Sequence, residues 1–177
     1  KFKCEKIAIE SLKHFVSKEA LNIDGFGKKI VEKFWEINLV KFPQDIFSLN
    51  FEKIKKLEGW GEISASNLKY SIEKSKKISL ERFIYALGIR HIGKENARLL
   101  SQHLKNIESF CGLSKESNTK VLLNIDGIGE TQIKSIRNFF SNKINILVLE
   151  KLSKIMEISD AVLSKKDGIL KNKTFMF

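Results

Sequence analysis

The sequence predicts an all-α fold made of two tandem helix-hairpin-helix pairs, and three observations predict it. Apolar residues recur at helical spacing through most of the 177 residues. Glycine-bounded turns interrupt that spacing four times, and the second glycines of these turns, Gly27, Gly61, Gly93 and Gly129, lie 34, 32 and 36 residues apart. Around each turn the same positions are apolar. Ile23, Leu57, Ile89 and Ile125 precede it, and Phe26, Trp60, Ile92 and Ile128 stand just before the second glycine. Val31, Ala65, Ala97 and Ile133 follow four residues after that glycine, and Phe34, Leu68, Leu100 and Ile136 seven after.

In chain order, nothing periodic appears from Lys1 to about Lys6, and Leu12, Phe15, Val16 and Ala20 share the face of a first helix. The turn Leu21 to Gly27 breaks that helix before Ile30, Val31, Phe34 and Trp35 resume. Pro43, the only proline, opens a short connector with Asp45 in its first turn. Asn50 caps the helix of Phe51, Ile54 and Leu57, which runs into Glu58-Gly59-Trp60-Gly61 and out through Ile63, Ala65, Leu68 and Ile72. Ser79 caps the helix entering the third turn. Ala97, Leu100 and Leu104 leave it, and a connector occupies about 107–113. A helix from Ser117 or Asn118 through Leu122 leads into the fourth turn, Asp126-Gly127-Ile128-Gly129, followed by Ile133, Ile136, Phe139 and Phe140. Ile144 to Ile155 closes the second pair. The expected units are 12–78 and 79–157, then a linker at 158–172 and the start of a strand at 173–177.

A net charge of +11 and a pI near 9.6 make a polyanion the natural partner. No apolar run reaches the roughly 18 residues of a membrane span, and two cysteines are too few for a disulfide framework, so a cytoplasmic setting is expected. Lysine supplies 28 of the 32 basic residues. Three of the four arginines, Arg82, Arg90 and Arg98, flank the third turn, which points to a turn built to meet an anion.

The turn chemistry explains why. Glycine permits positive φ and close backbone approach, while the residue between the two glycine positions packs inward. Free amides and the positive end of the dipole at the following helix then form an anion site that needs no particular base. A single Gly-x-Gly is an ordinary helix C-cap, but four copies in register point to tracking of a sugar-phosphate backbone, independent of base sequence and sensitive to salt. The expected DNA-binding residues are Gly25, Gly27, Lys28, Lys29, Gly59, Gly61, Arg90, His91, Gly93, Lys94, Arg98, Gly127, Gly129 and Lys134. His91 replaces the first glycine of the other copies. A side chain there is expected to crowd the amides and shift the third turn's reliance to Arg90 and Arg98.

The stretches Ser11 to Ser17, Asn22 to Gly27, Leu57 to Gly61 and above all Arg82 to Gly93 closely resemble bacterial NAD-dependent DNA ligases, over about Leu12 to Ile158. The resemblance implies a SAM/RuvA-domain-2-like helical bundle whose hairpins grip nicked duplex DNA from the minor-groove side. It also implies a monomer associated with the bacterial nucleoid. Residues 1–11 would be the end of a zinc finger, with Cys4 as one of four zinc ligands, and 173–177 the start of a BRCT domain. NAD, magnesium and structural zinc would serve the parent enzyme through other domains of the same polypeptide, and no cofactor or catalytic residue is expected in this stretch.

Lys165-Lys166-Asp167-Gly168 matches the Lys-x-Asp-Gly motif of the family's adenylated lysine. It lies in a polar linker, whereas a nucleophilic lysine needs a preorganised pocket. His14, His91 and His103 lack carboxylate or cysteine partners at metal or catalytic spacing. The 13 phenylalanines fall mostly at core positions rather than on a stacking face. A period near 34 also suits a tetratricopeptide solenoid, but that repeat's landmarks are missing. The competing reading is a protein-interaction scaffold in which hairpins are only turns and lysines only solubilise.

Overall fold

A computed structural model of the chain describes residues 2–161. The segment 165–168, most of the expected linker and the stretch 173–177 lie outside the described residues. Helix α1 (Phe2–Val16) starts a full ten residues before the position that apolar periodicity indicates, because its first turns are solvent-exposed and present little apolar pattern. Cys4 is free and exposed on that first stretch. After the first hairpin comes α2 (Lys28–Glu36). The Pro43 connector is a 3-10 helix, Pro43–Ser48, whose start is held by Asp45: its Oδ2 accepts from the amides of Phe42 (2.8 Å) and Lys41 (3.0 Å).

Helices α3 (Phe51–Ile54) and α4 (Glu62–Ser75) flank the second hairpin, with Asn50 Oδ1 capping the amide of Lys53 at 3.1 Å. Helices α5 (Leu80–Ala86) and α6 (Lys94–Leu104) flank the third, and Ser79 caps α5. Helix α7 (Ile107–Cys111) and a 3-10 turn, Gly112–Ser114, form the second connector. The segment entering the fourth hairpin, Glu116–Asn124, is 3-10 rather than α. It is rich in Ser, Asn and Thr, which compete with helical backbone bonds. Helices α8 (Glu130–Ser141) and α9 (Lys143–Ile155) complete the helical part.

The all-α expectation gains one addition, a parallel ladder of β1 (Lys77–Ser79) and β2 (Glu157–Ser159), in which Ile78 pairs with Ile158. It ties the link between the two pairs to the end of α9. The expected closing role of α9 also changes: it packs on α8 and more extensively on the 3-10 helix Pro43–Ser48 of the first pair. Arg82 on α5 donates to the carbonyls of Ala20 (2.6 Å) and Lys18 (3.0 Å), and His14 on α1 bonds the Tyr85 carbonyl at 2.7 Å. The two pairs therefore share one continuous core, which runs from Leu12 to Met156.

The repeat positions fill that core. Val31, Ala65, Ala97 and Ile133, and Phe34, Leu68, Leu100 and Ile136, are all buried. Of the inward turn residues only Leu57 and Trp60 in the second copy are half-exposed. Trp60 rests on Phe34 with ring centroids 5.7 Å apart, and Phe34 meets Phe26 edge-on at 5.5 Å, which joins the first hairpin to the second.

Candidate nucleic-acid interface

All four hairpins close with the same hydrogen bond. The amide of Phe26, Trp60, Ile92 or Ile128 donates to the carbonyl three residues earlier, at 3.0–3.1 Å. The third residue of each turn has positive φ: Gly25 at 78°, Gly59 at 79°, His91 at 61° and Gly127 at 86°. That combination is the type II turn, in which glycine fits at this position without strain. The second glycines behave differently. Gly27, Gly61, Gly93 and Gly129 have φ of −71°, −152°, −82° and −95° with ψ near 180°, and each is the N-cap of the following helix. The expectation that both glycines serve positive φ therefore holds only for the first.

The second glycine answers no demand of the fold. A Cβ at Gly27, Gly61 or Gly93 would meet no atom within 4 Å, and at Gly129 only the mobile end of Gln132, at 3.3 Å. The backbone there faces open space.

The hairpins meet in pairs. Lys33 Nζ on α2 donates to the Glu58 carbonyl of the second hairpin at 2.8 Å. A broad groove lined by Gly25, Lys29, Lys33, Gly59, Trp60 and Asn67 runs between the first two hairpins. In the second pair a Cβ on Gly127 would lie 2.9 Å from Leu99 of α6. His91 does not fold over its own turn: Nδ1 bonds Ser135 Oγ of α8 at 3.0 Å, and the His91 carbonyl accepts from Asn96 Nδ2 at 3.0 Å. Because the Ser135 hydroxyl already donates to the Thr131 carbonyl, Nδ1 carries the proton of this bond.

The expected cations separate into two kinds. Lys28, Lys29, Arg90 and Lys134 are exposed and make no ion pair or side-chain hydrogen bond within the described residues. Lys94 is ion-paired with Glu19 of the first hairpin's loop, which raises the lysine pKa and lowers that of Glu19. Arg98 is engaged along its own helix by Glu95, with Nε 3.0 Å from Oε2, and by Gln102 at 3.0 Å; the Glu95 bond raises the arginine pKa and lowers that of its carboxylate. Of the remaining arginines, Arg82 is taken up by backbone carbonyls and Arg137 donates through Nε to the buried Thr119 hydroxyl at 3.0 Å.

Two features escaped the residue-by-residue reading. Ser64 Oγ accepts from the Gly61 amide at 2.9 Å, and Gln132 Oε1 accepts from the Gly129 amide at 3.2 Å. Their signal was present as a polar residue three positions after each glycine, the spacing of a capping box. Acidic residues also stand at the second and fourth hairpins, Glu58 and Glu62, Asp126 and Glu130. Among the described residues no cluster of three or more His, Cys, Asp or Glu could hold a metal ion, and no helix is long and apolar enough to cross a membrane.

Residues 82–149 match the helix-hairpin-helix motif family. The DNA ligase of Pelagibacter ubique (strain HTCC1062) is 63% identical over 175 residues, 99% of this chain and 26% of the relative. The DNA ligase of Rickettsia bellii (strain RML369-C) is 40% identical over 186 residues, 98% of this chain and 27% of that protein. That of Rhodopseudomonas palustris (strain BisA53) is 39% identical over 191 residues. The chain thus spans about a quarter of the length of the relatives it matches. Along nearly its whole length the chain is similar to a stretch of these DNA ligases, and its residues 82–149 carry the helix-hairpin-helix motif.

Proposed function

We propose that this chain is the non-sequence-specific DNA-binding module of an NAD-dependent DNA ligase, holding nicked duplex DNA by its phosphate backbone from the minor-groove side while the rest of the polypeptide seals the nick. The observation that carries the reading is the second glycine of each hairpin. It recurs in all four copies although neither backbone conformation nor internal packing needs it. What excludes a side chain there lies outside the chain, and a phosphate drawn close to backbone amides at a helix start has the matching size and charge. The net charge of +11 and the free Lys28, Lys29, Arg90 and Lys134 add the long-range attraction.

The chemistry of joining belongs, in this reading, to parts of the parent beyond these residues, which would supply NAD and magnesium. Structural zinc needs four ligands and Cys4 offers one, exposed at the start of α1, so the described residues do not form a zinc site by themselves.

The scaffold reading has one observation in its favour: an apolar groove of about 220 Å³, lined in part by Ala8, Phe42, Leu87, Ile144 and Val148, with Phe42 and Ile144 exposed. Fluorescence anisotropy with a nicked duplex across a salt series separates the two. DNA binding through phosphates predicts that log K falls linearly with log salt at about −0.9 per phosphate contacted. A flat salt response would leave the scaffold.

A further inference from the structure

The first hairpin differs from the other three in how the chain reaches it. The loop 17–22 separates the end of α1 from Ile23. In the other copies the approach is direct: only Lys55-Lys56 precede Leu57, only Leu87-Gly88 precede Ile89, and Asn124, the last residue of its 3-10 helix, adjoins Ile125. Within the loop Ala20 and Leu21 are buried, while Lys18, Glu19 and Asn22 are exposed, with Asn22 at φ of 55°. A turn carried on such a loop has few apolar contacts to fix its direction.

The second pair supplies what the loop lacks. A cleft of about 420 Å³, lined in part by Lys18, Glu19, Asn22, Arg82, Tyr85 and Lys94, separates the loop from α5 and α6. Arg82 spans it. Its Nη2 donates to the carbonyls of Ala20 (2.6 Å) and Lys18 (3.0 Å), neither of which receives a backbone amide among the described residues. About one turn further along α5 the Tyr85 carbonyl bonds His14 of α1 at 2.7 Å, and Lys94, the first residue of α6, pairs with Glu19. Because α5 enters the third hairpin and α6 leaves it, the segment before the first hairpin is braced from both sides of the third.

The braces differ in strength. The Lys94–Glu19 pair is exposed on both sides and open to screening by salt. The guanidinium of Arg82 makes two charge-assisted bonds to carbonyls that otherwise lack a backbone partner, so it is the firmer of the two. Two binding elements held at a fixed separation engage a common ligand at high effective concentration, and that advantage falls when the separation is free to vary.

We propose that Arg82 is a positioning residue for DNA binding: it holds the loop 17–22 against α5 and so sets the separation of the first and third hairpins, which lets both pairs engage one duplex together without Arg82 itself touching DNA. The proposal rests on the DNA-binding reading and adds to it the residue that couples the two pairs.

The test measures, by fluorescence anisotropy, the affinity of the whole chain, Arg82→Gln and Arg82→Lys for fluorescein-labelled DNA hairpins with stems of about 6 to 24 base pairs. At about 3.4 Å per base pair these run from about 20 to about 80 Å, shorter and longer than the roughly 30 Å of a small domain. Affinities are corrected for the number of binding registers, and circular dichroism shows that each variant is folded. The unsubstituted chain is expected to gain at least tenfold once the stem admits both pairs. Arg82→Gln should lose at least fivefold on the long stems and less than twofold on the short ones. Arg82→Lys keeps the charge but not the geometry of the paired bonds, so it should lose two- to fivefold, again on the long stems alone, and it carries the test if Arg82→Gln does not fold. A loss of equal size at every stem length would overturn the proposal, because that is the effect of removing a charge that meets DNA directly. No loss from either variant, or no gain with stem length in the unsubstituted chain, would overturn it as well, while salt-sensitive binding would leave the DNA-binding reading intact. An unsubstituted chain whose binding ignored salt would overturn both.

Discussion

Replacing Gly127 with alanine tests how the fourth hairpin is seated. Gly127 has φ of +86°, where an L-residue costs roughly 1–2 kcal/mol. The new Cβ would also stand 2.9 Å from Leu99 Cδ1 of α6, inside contact distance. Leu99 is only partly buried and its end can move, so this overpacking adds about 1 kcal/mol, the lower end of the usual range. The expected loss is about 2–3 kcal/mol, a large share of the roughly 5–15 kcal/mol that holds a domain together. Gly59 is the internal control: its φ is +79°, yet a Cβ there meets nothing within 4 Å, so Gly59→Ala should cost only the backbone part. Urea unfolding followed by far-ultraviolet circular dichroism gives both values. Adding Leu99→Ala should relieve the Gly127→Ala penalty by about 1 kcal/mol and leave Gly59→Ala unrelieved, because only contacting residues couple. Equal losses at Gly127 and Gly59, or additive behaviour with Leu99→Ala, would refute the packing of this hairpin on α6.

Three further outcomes are expected. Asp45→Ala removes the acceptor of two backbone amides at the start of the 3-10 helix and should destabilise the chain by about 1–2 kcal/mol in the same urea assay, with Asp45→Asn recovering part of it. His91→Gly removes a left-handed non-glycine residue but also the bond to Ser135, so nicked-duplex affinity should stay within about twofold; a large loss would show that the imidazole itself contacts DNA. The carboxyls of Glu10, Glu19, Glu52 and Glu95 are held below their ordinary value of 4.5, chiefly by hydrogen bonds from Lys13, Lys94, Lys55 and Arg98. Their contribution is therefore present above pH 4.5 and lost as the pH falls below it, so the melting temperature should drop between about pH 5 and 3, and less so in high salt, where exposed pairs are screened.

The helices and turns were legible because their signals are local. The buried faces, the caps at Asn50 and Ser79 and the positive φ at Gly25, Gly59 and Gly127 all follow from residues a few positions apart. The start of α1 was not, since an exposed helical stretch has no apolar period to read. Among the candidate site residues the first glycines were legible as positive-φ turn elements, but that the second glycines are N-caps with negative φ, and which cations stay free, was hidden. Glu19 reaches Lys94 across 75 positions, so nothing near Lys94 signals the pairing.

The sequence by itself determined the repeat, four hairpins of one design with a strong positive charge, because glycine geometry and helical periodicity are properties of short segments. Only the tertiary structure decided how those hairpins differ and where they meet. Arg82 is drawn to carbonyls more than 60 residues away, His91 turns to Ser135 on the partner hairpin's helix, and α9 crosses to the first pair. These contacts arise when distant segments compete for the same donors and the same buried surface, a competition that no local pattern records.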